Sequence, residues 1–170
     1  MTATLRVDLG CAEGGVAGFD RYVDLQAHPD IPADKMVVAD LTRPWPFADG
    51  SITHLRAHDI IEHLPDKIFT FNEAWRCLED GATIEIVVPT TEGVGAICDP
   101  THVSLWCRHS FDYFIAGSPE HNRFARSYGV RAAFRVLSEE KRSYVMSYPS
   151  GDERVVHLHI VLEAIKGTGR

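Results

Sequence analysis

Residues 7–25, VDLGCAEGGVAGFDRYVDL, place two short apolar runs around a glycine-bearing turn. Only about ten residues separate the runs, whereas a helical crossover between parallel strands takes roughly a dozen or more. The glycines let backbone approach a ligand closely, since no Cβ stands in the way. Further runs rich in Val, Ile and Leu follow at 36–40, 52–57 and 83–89, each ahead of a polar or glycine-bearing stretch, which is the rhythm of a parallel sheet. Pro65 opens a predicted helix whose Ile68, Phe71, Trp75 and Leu78 recur at core spacing before Gly81 stops it. Ser118-Pro119 opens a second helix running to Gly129, and residues 134–148 and 155–165 read as two long strands around the turn PSGD. The pattern predicts one α/β domain over residues 1–170, with a mostly parallel seven-stranded sheet closed by an antiparallel C-terminal pair.

Composition narrows the partners. A 170-residue chain with 45% hydrophobic content buries a core without staples. A formal charge of −7 leaves no basic stripe, so no nucleic-acid partner is expected. No apolar run reaches the roughly 18 residues of a membrane span, and the opening MTATLRVDLG lacks a signal peptide's apolar segment, so a cytoplasmic protein without a membrane partner is expected. Cys11, Cys77, Cys98 and Cys107 are scattered without a Cys-x-x-Cys, which reads as free thiols.

Three ligand classes use a glycine-rich turn after a first strand. A phosphate-binding loop needs G-x-x-x-x-G-K-[ST], and the chain has no Gly-Lys pair. A dinucleotide turn wants G-x-G-x-x-G opening a helix whose amides hold the pyrophosphate. Here Gly10-Cys11-Ala12-Glu13-Gly14-Gly15 has alanine at the middle glycine and a glutamate beside the anion's place, with no room for that helix. A nicotinamide oxidoreductase survives only if backbone alone holds the pyrophosphate. S-adenosylmethionine carries no phosphate, and a carboxylate near its ammonium or sulfonium is favourable.

The chain resembles the class I S-adenosylmethionine-dependent methyltransferases of the type 11 kind. Asp8-Leu9-Gly10-Cys11-Ala12-Glu13-Gly14 is similar to their first motif, Gly18 to Leu25 to their second strand with its terminal acid, and Ala39-Asp40-Leu41 with Pro46 to Ser51 to the adenine-side stretch. His58-Asp59-Ile60-Ile61-Glu62-His63-Leu64 resembles the Glu-His-Leu segment after strand four, Arg76 to Gly81 the Arg-x-Leu-x-x-Gly helix end, and Asp99-Pro100-Thr101-His102 the Asp-Pro-x-His loop of the small-molecule branch. The matches cover roughly residues 5–115 and imply a Rossmann-like fold. Ala12, Thr53 and Ala82 depart from the pattern, and the first helix is cut short. The chain begins at the first strand, so a lid over the cofactor is expected from residues 90–129 or from a partner.

The resemblance implies a cofactor set of Asp8, Gly10, Gly14, Asp24, Asp40, Leu41 and His58. Asp24, at a strand's carboxyl end, would take both ribose hydroxyls, with loop capping as the alternative. Asp40 would accept the adenine amino group while Leu41 offers an amide, or Asp40 simply caps the next turn. Among nine histidines, His157 and His159 read as structural, and His28, His54 and His121 belong to no constellation. His58, His63 and His102 fall near the carboxyl ends of the strands, where open sheets bind ligands. His102, oriented by Asp99, is the candidate general base, with a plain loop hydrogen-bonder as the alternative. Metal ligation with Glu62 is a further option, but His58-x4-His63 matches no established spacing and no metal is expected. Residues 96–102 and Trp106 are expected to cover the sulfonium.

The reading is therefore an S-adenosylmethionine-dependent methyltransferase acting on a small-molecule acceptor. A non-catalytic binding or regulatory descendant of the fold is the alternative. The sequence leaves homo-oligomerisation open.

Overall fold

The structure, a computed structural model of the chain, describes residues 5–11, 15–149 and 151–167. Seven strands, β1 (Leu5–Leu9), β2 (Arg21–Asp24), β3 (Met36–Val38), β4 (Ile52–His58), β5 (Leu78–Pro89), β6 (Phe134–Tyr148) and β7 (Gly151–Ala164), form one sheet in the order β3-β2-β1-β4-β5-β7-β6. The pairs from β3 to β5 are parallel, and β7 enters antiparallel against both β5 and β6. This is the expected α/β arrangement. Between β1 and β2 no described residue is helical, as the short connection requires.

Helix α1 (Lys67–Cys77) starts where Asp66 accepts the Phe69 amide at 2.8 Å, one residue after Pro65. It ends four residues before the expected stop at Gly81, because Leu78 turns extended and joins β5. The freed carbonyls of Arg76 and Cys77 accept the amides of Gly50 and Ser51 at 2.9 Å each, so the helix end is satisfied by the entry to β4. A single turn, α2 (Gly95–Cys98), follows β5. Helix α3 (Pro119–Tyr128) runs as expected from Ser118, which caps the His121 amide, to a left-handed Gly129. Strand β7 begins at Gly151, four residues earlier than the apolar pattern suggests. Residues 151–154 are solvent-exposed, so no alternation marks them as strand. The turn PSGD includes Ser150, which lies outside the described residues.

The two faces of the sheet differ in chemistry. Val7, Leu9, Leu55, Ala57, Ile84, Ile86, Leu158 and Ile160 form the main core with Phe71 and Ala74 of α1 and with Trp106, Phe111 and Phe114. The opposite face carries Asp8, Arg56, His58, Glu85 and His159 in register, with a smaller cluster of Cys11, Phe19, Tyr22 and Ile31 over β2. No helix among the described residues is long and apolar enough to cross a membrane.

Candidate functional site

Strand order reverses at β1, which has β2 and β3 on one side and β4 and β5 on the other. In open parallel sheets this switch point leaves a crevice beyond the carboxyl ends of the strands. Two cavities lie there. The first, about 130 Å³, is lined by Gly10, Asp24, Leu25, Ala39, Asp40, Leu41, Thr42, Ile60, His63 and Leu64. The second, about 320 Å³, is bounded by Asp59, Glu62, His63, Asp99, His102 and His157, and by Tyr144, Met146 and Tyr148 of the hairpin. His63 lines both.

The first cavity gathers four of the seven cofactor candidates: Gly10, Asp24, Asp40 and Leu41. Gly10 has φ +64, and a Cβ built there meets three side-chain atoms of Ile60 at 2.7–2.8 Å. The turn thus needs glycine both for its left-handed backbone and to let Ile60 reach it. Asp24 closes β2: one carboxylate oxygen accepts the Leu25 amide at 2.7 Å, and the other stands 3.3 Å from His28 Nε2 and 3.9 Å from Cys11 Sγ. Asp40 caps its own turn through Thr42, whose amide and hydroxyl donate to Oδ1 at 2.9 and 2.7 Å and hold the carboxyl below its usual range. Gly14 lies outside the described residues.

The other two candidates sit elsewhere. Asp8 is fully buried on the opposite face, where Arg56 donates to it at 2.8 Å. His58 shares that face, between Arg56 at 2.8 Å and Glu85 at 2.9 Å. Burial, then the Arg56 charge, keeps its imidazole below the ordinary value. Strand alternation explains both cases, since even positions of β4 pair across to Asp8 and Glu85 while Leu55 and Ala57 face the core. Neither residue lines the first cavity.

The second cavity is lined by both candidate catalytic residues, Asp99 and His102, but they do not hydrogen-bond to each other. Asp99 accepts the Thr101 amide at 2.8 Å and its hydroxyl at 2.6 Å, an Asx turn that shapes the loop ahead of His102 and holds the Asp99 carboxyl low. Its other oxygen is 4.0 Å from His102 Nε2, beyond hydrogen-bond range. Glu62 is about as near that nitrogen, at 3.9 Å. The thiols are as expected, with no disulfide among the described residues. Burial first, then the carboxylates of Asp24 and Asp8, pushes Cys11 up to about 11. Trp106 does not cover the cavities. It is buried in the core against Phe71 and Phe111, with its indole N–H donating to Ser104 at 3.0 Å.

Several positions at or beside the cavities escaped the sequence. His28 follows Asp24 by four residues, a spacing that signals proximity only if the loop curls back as it does. His157 contacts Asp59 Oδ1 at 3.2 Å, and Asp59 itself is left-handed with φ 48. Tyr144, Met146 and Tyr148 arrive through long-range hairpin geometry that no local pattern records. Among the described residues two groups offer one ligand atom per residue within 4.8 Å of one another: Cys11, Asp24 and His28, of which Asp24 lines the first cavity, and Glu62, His63 and His102, which all line the second.

The sheet order and α/β arrangement agree, at the level of fold, with solved structures of class I S-adenosylmethionine-dependent methyltransferases. A SAM-dependent methyltransferase from Methanosarcina mazei superposes with a TM-score of 0.60 at 12% identity, covering 97% of this chain and 94% of that one. Phosphoethanolamine N-methyltransferase 2 of Haemonchus contortus, solved with phosphomonomethylethanolamine and S-adenosylhomocysteine, gives 0.55 at 14% identity over 99% of this chain and 50% of its own. The [4+2]-cyclase SpnF gives 0.58 at 11% identity over 98% and 77%. No protein-family model and no curated protein matches the chain.

Proposed function

We propose that the chain transfers a methyl group from S-adenosylmethionine to a small-molecule hydroxyl or amine. The observation that carries this reading is the pair of cavities meeting at His63 across the β1/β4 switch point, one suited to the donor and the other to the acceptor. The first fits the donor's chemistry. Asp24 offers a carboxylate for paired ribose hydroxyls, the Asp40–Leu41 edge an acceptor and an amide for a purine, and Gly10 an approach free of side chain. When bound, S-adenosylmethionine supplies a methyl activated by its sulfonium. The chain's part is to align the two partners, exclude water and take up a proton.

The second cavity, at about 320 Å³, falls within the range of small-molecule sites, and the charge of −7 argues against a polyanionic acceptor. His102 is the group at the acceptor, with Glu62 in place of Asp99 as its nearest carboxylate by 0.1 Å and by far the more buried. The test is transfer of labelled methyl to a panel of hydroxylated and amine small molecules. Labelled product supports the enzyme. Saturable cofactor binding with no transfer to any member sinks it in favour of a binding module. That second reading draws on the committed side chains of Asp24 and Asp40, and a cyclase on this fold shows that the architecture alone does not fix methyl transfer.

A further inference from the structure

The second cavity contains a buried carboxylate that nothing satisfies. Glu62, in the 3₁₀ turn Ile61–His63, is 2% exposed, and neither Oε1 nor Oε2 has a hydrogen-bond partner. Leaving such a group unpaired is costly, and more so when it is charged.

Two imidazoles complete the picture. His102, its side chain 9% exposed, directs Nε2 toward Glu62 Oε1 at 3.9 Å, and its ring lies 4.8 Å from that of His63, edge to face. His102 Nδ1 lies 3.3 Å from the Ala96 carbonyl oxygen, and His63 Nδ1 lies 3.3 Å from the Thr101 carbonyl oxygen and 3.1 Å from the Thr101 hydroxyl, which itself donates to Asp99. All of these oxygens act as acceptors here, so in the neutral rings Nδ1 donates and Nε2 keeps its lone pair. Imidazoles that bind metals are oriented in this way, with the second nitrogen donating to a backbone carbonyl or carboxylate.

We infer that Glu62, His63 and His102 form a site for one divalent transition cation of the zinc type, with an open position facing the acceptor cavity. Two imidazoles and one carboxylate suit such ions and not magnesium or calcium, which prefer oxygen alone. Bonds of about 2.1 Å to a tetrahedral ion separate its ligands by roughly 3.4 Å. The three ligand atoms lie within 4.8 Å of one another, with His102 and Glu62 at 3.9 Å, so a bound cation would draw them inward. The cation would give Glu62 the partner it lacks.

The consequence for chemistry rests on the reading of this cavity as the acceptor's. A hydroxyl coordinating the cation loses its proton to solvent near neutral pH. Its oxygen then forms the bond to the methyl carbon as the sulfur–methyl bond breaks, the electron pair staying on sulfur. His102 holds the cation in this form and does not itself take the proton.

The test uses the whole chain after chelator treatment, titrated with Zn²⁺ and Co²⁺ by calorimetry, with Co²⁺ also followed by visible absorption. One cation per chain is expected, without thiolate-to-cobalt charge transfer and without Mg²⁺ binding. Glu62→Gln and His102→Ala should each weaken binding at least tenfold to hundredfold, the loss usual even for groups that only support a ligand. His63→Ala serves the same purpose if Glu62→Gln does not fold. The inference fails if neither ion binds saturably, or if affinity survives in folded His102→Ala. Thiolate charge transfer also overturns it, by moving the ion to Cys98 or to the Cys11, Asp24 and His28 group. Titrating the cation-free chain with S-adenosylmethionine separates the two claims, since either ligand's failure leaves the other's result standing.

Discussion

Replacing Asp24 by alanine tests the placement of the donor. Hydrogen bonds to a charged group contribute about 1.5–3 kcal/mol. Asp24 already accepts the Leu25 amide at 2.7 Å and has His28 Nε2 at 3.3 Å, so ribose hydroxyls share an engaged carboxylate and the gain belongs in the lower part of that range. About 1.5–2 kcal/mol corresponds to a roughly ten- to thirtyfold weaker Kd for S-adenosylmethionine or S-adenosylhomocysteine. Stability should change little. The Asp24–His28 pair is partly exposed, such pairs contribute about 0–1 kcal/mol, and a chain of this length shifts Tm by about 2–4 °C per kcal/mol. Calorimetric titration of both proteins, with melting curves as control, makes the measurement. Unchanged affinity in a variant of normal Tm would refute the reasoning and place the ribose away from the end of β2.

Gly10→Ala puts a Cβ 2.7 Å from Ile60 in a left-handed turn, and should destabilise the chain by about 1–3 kcal/mol and weaken donor binding, as read by denaturant unfolding and titration. Once a methyl acceptor is found, His102→Ala should slow transfer by roughly 10²-fold or more with little change in donor affinity, because the variant loses either the base or the cation that would replace it, and full activity would reduce His102 to a loop residue. At pH 8 a thiol reagent should label exposed Cys98 quickly and spare Cys11 and Cys77, whose pKa values burial pushes up to about 11 and 12. Rapid labelling of Cys11, read by mass spectrometry, would show that the end of β1 opens in solution.

Much of the fold was legible because the central strands place Val, Ile and Leu on the core face in short runs, while Asp66, Ser118 and Gly129 mark helix ends by local chemistry. The stop of α1 was not, since it depends on the amides of Gly50 and Ser51 reaching back from another segment. Gly10, Asp24, Asp40 and Leu41 come together around one cavity because each ends or follows a strand, which fixes its position by topology. His58 and Asp8 were placed by motif alone, and strand alternation turned both to the opposite face. The approach of His102 to within 3.9 Å of Glu62 joins residues forty positions apart, and no local pattern records it.

The central claim is that the first cavity binds the methyl donor. Titration of the chain with S-adenosylmethionine and S-adenosylhomocysteine by calorimetry addresses it directly, with NAD as the control ligand. Binding of at least one adenosyl ligand with a micromolar Kd, near −8 kcal/mol, and no saturable binding of NAD is the predicted result. Absence of binding by either adenosyl ligand at protein concentrations approaching a millimolar would contradict the account.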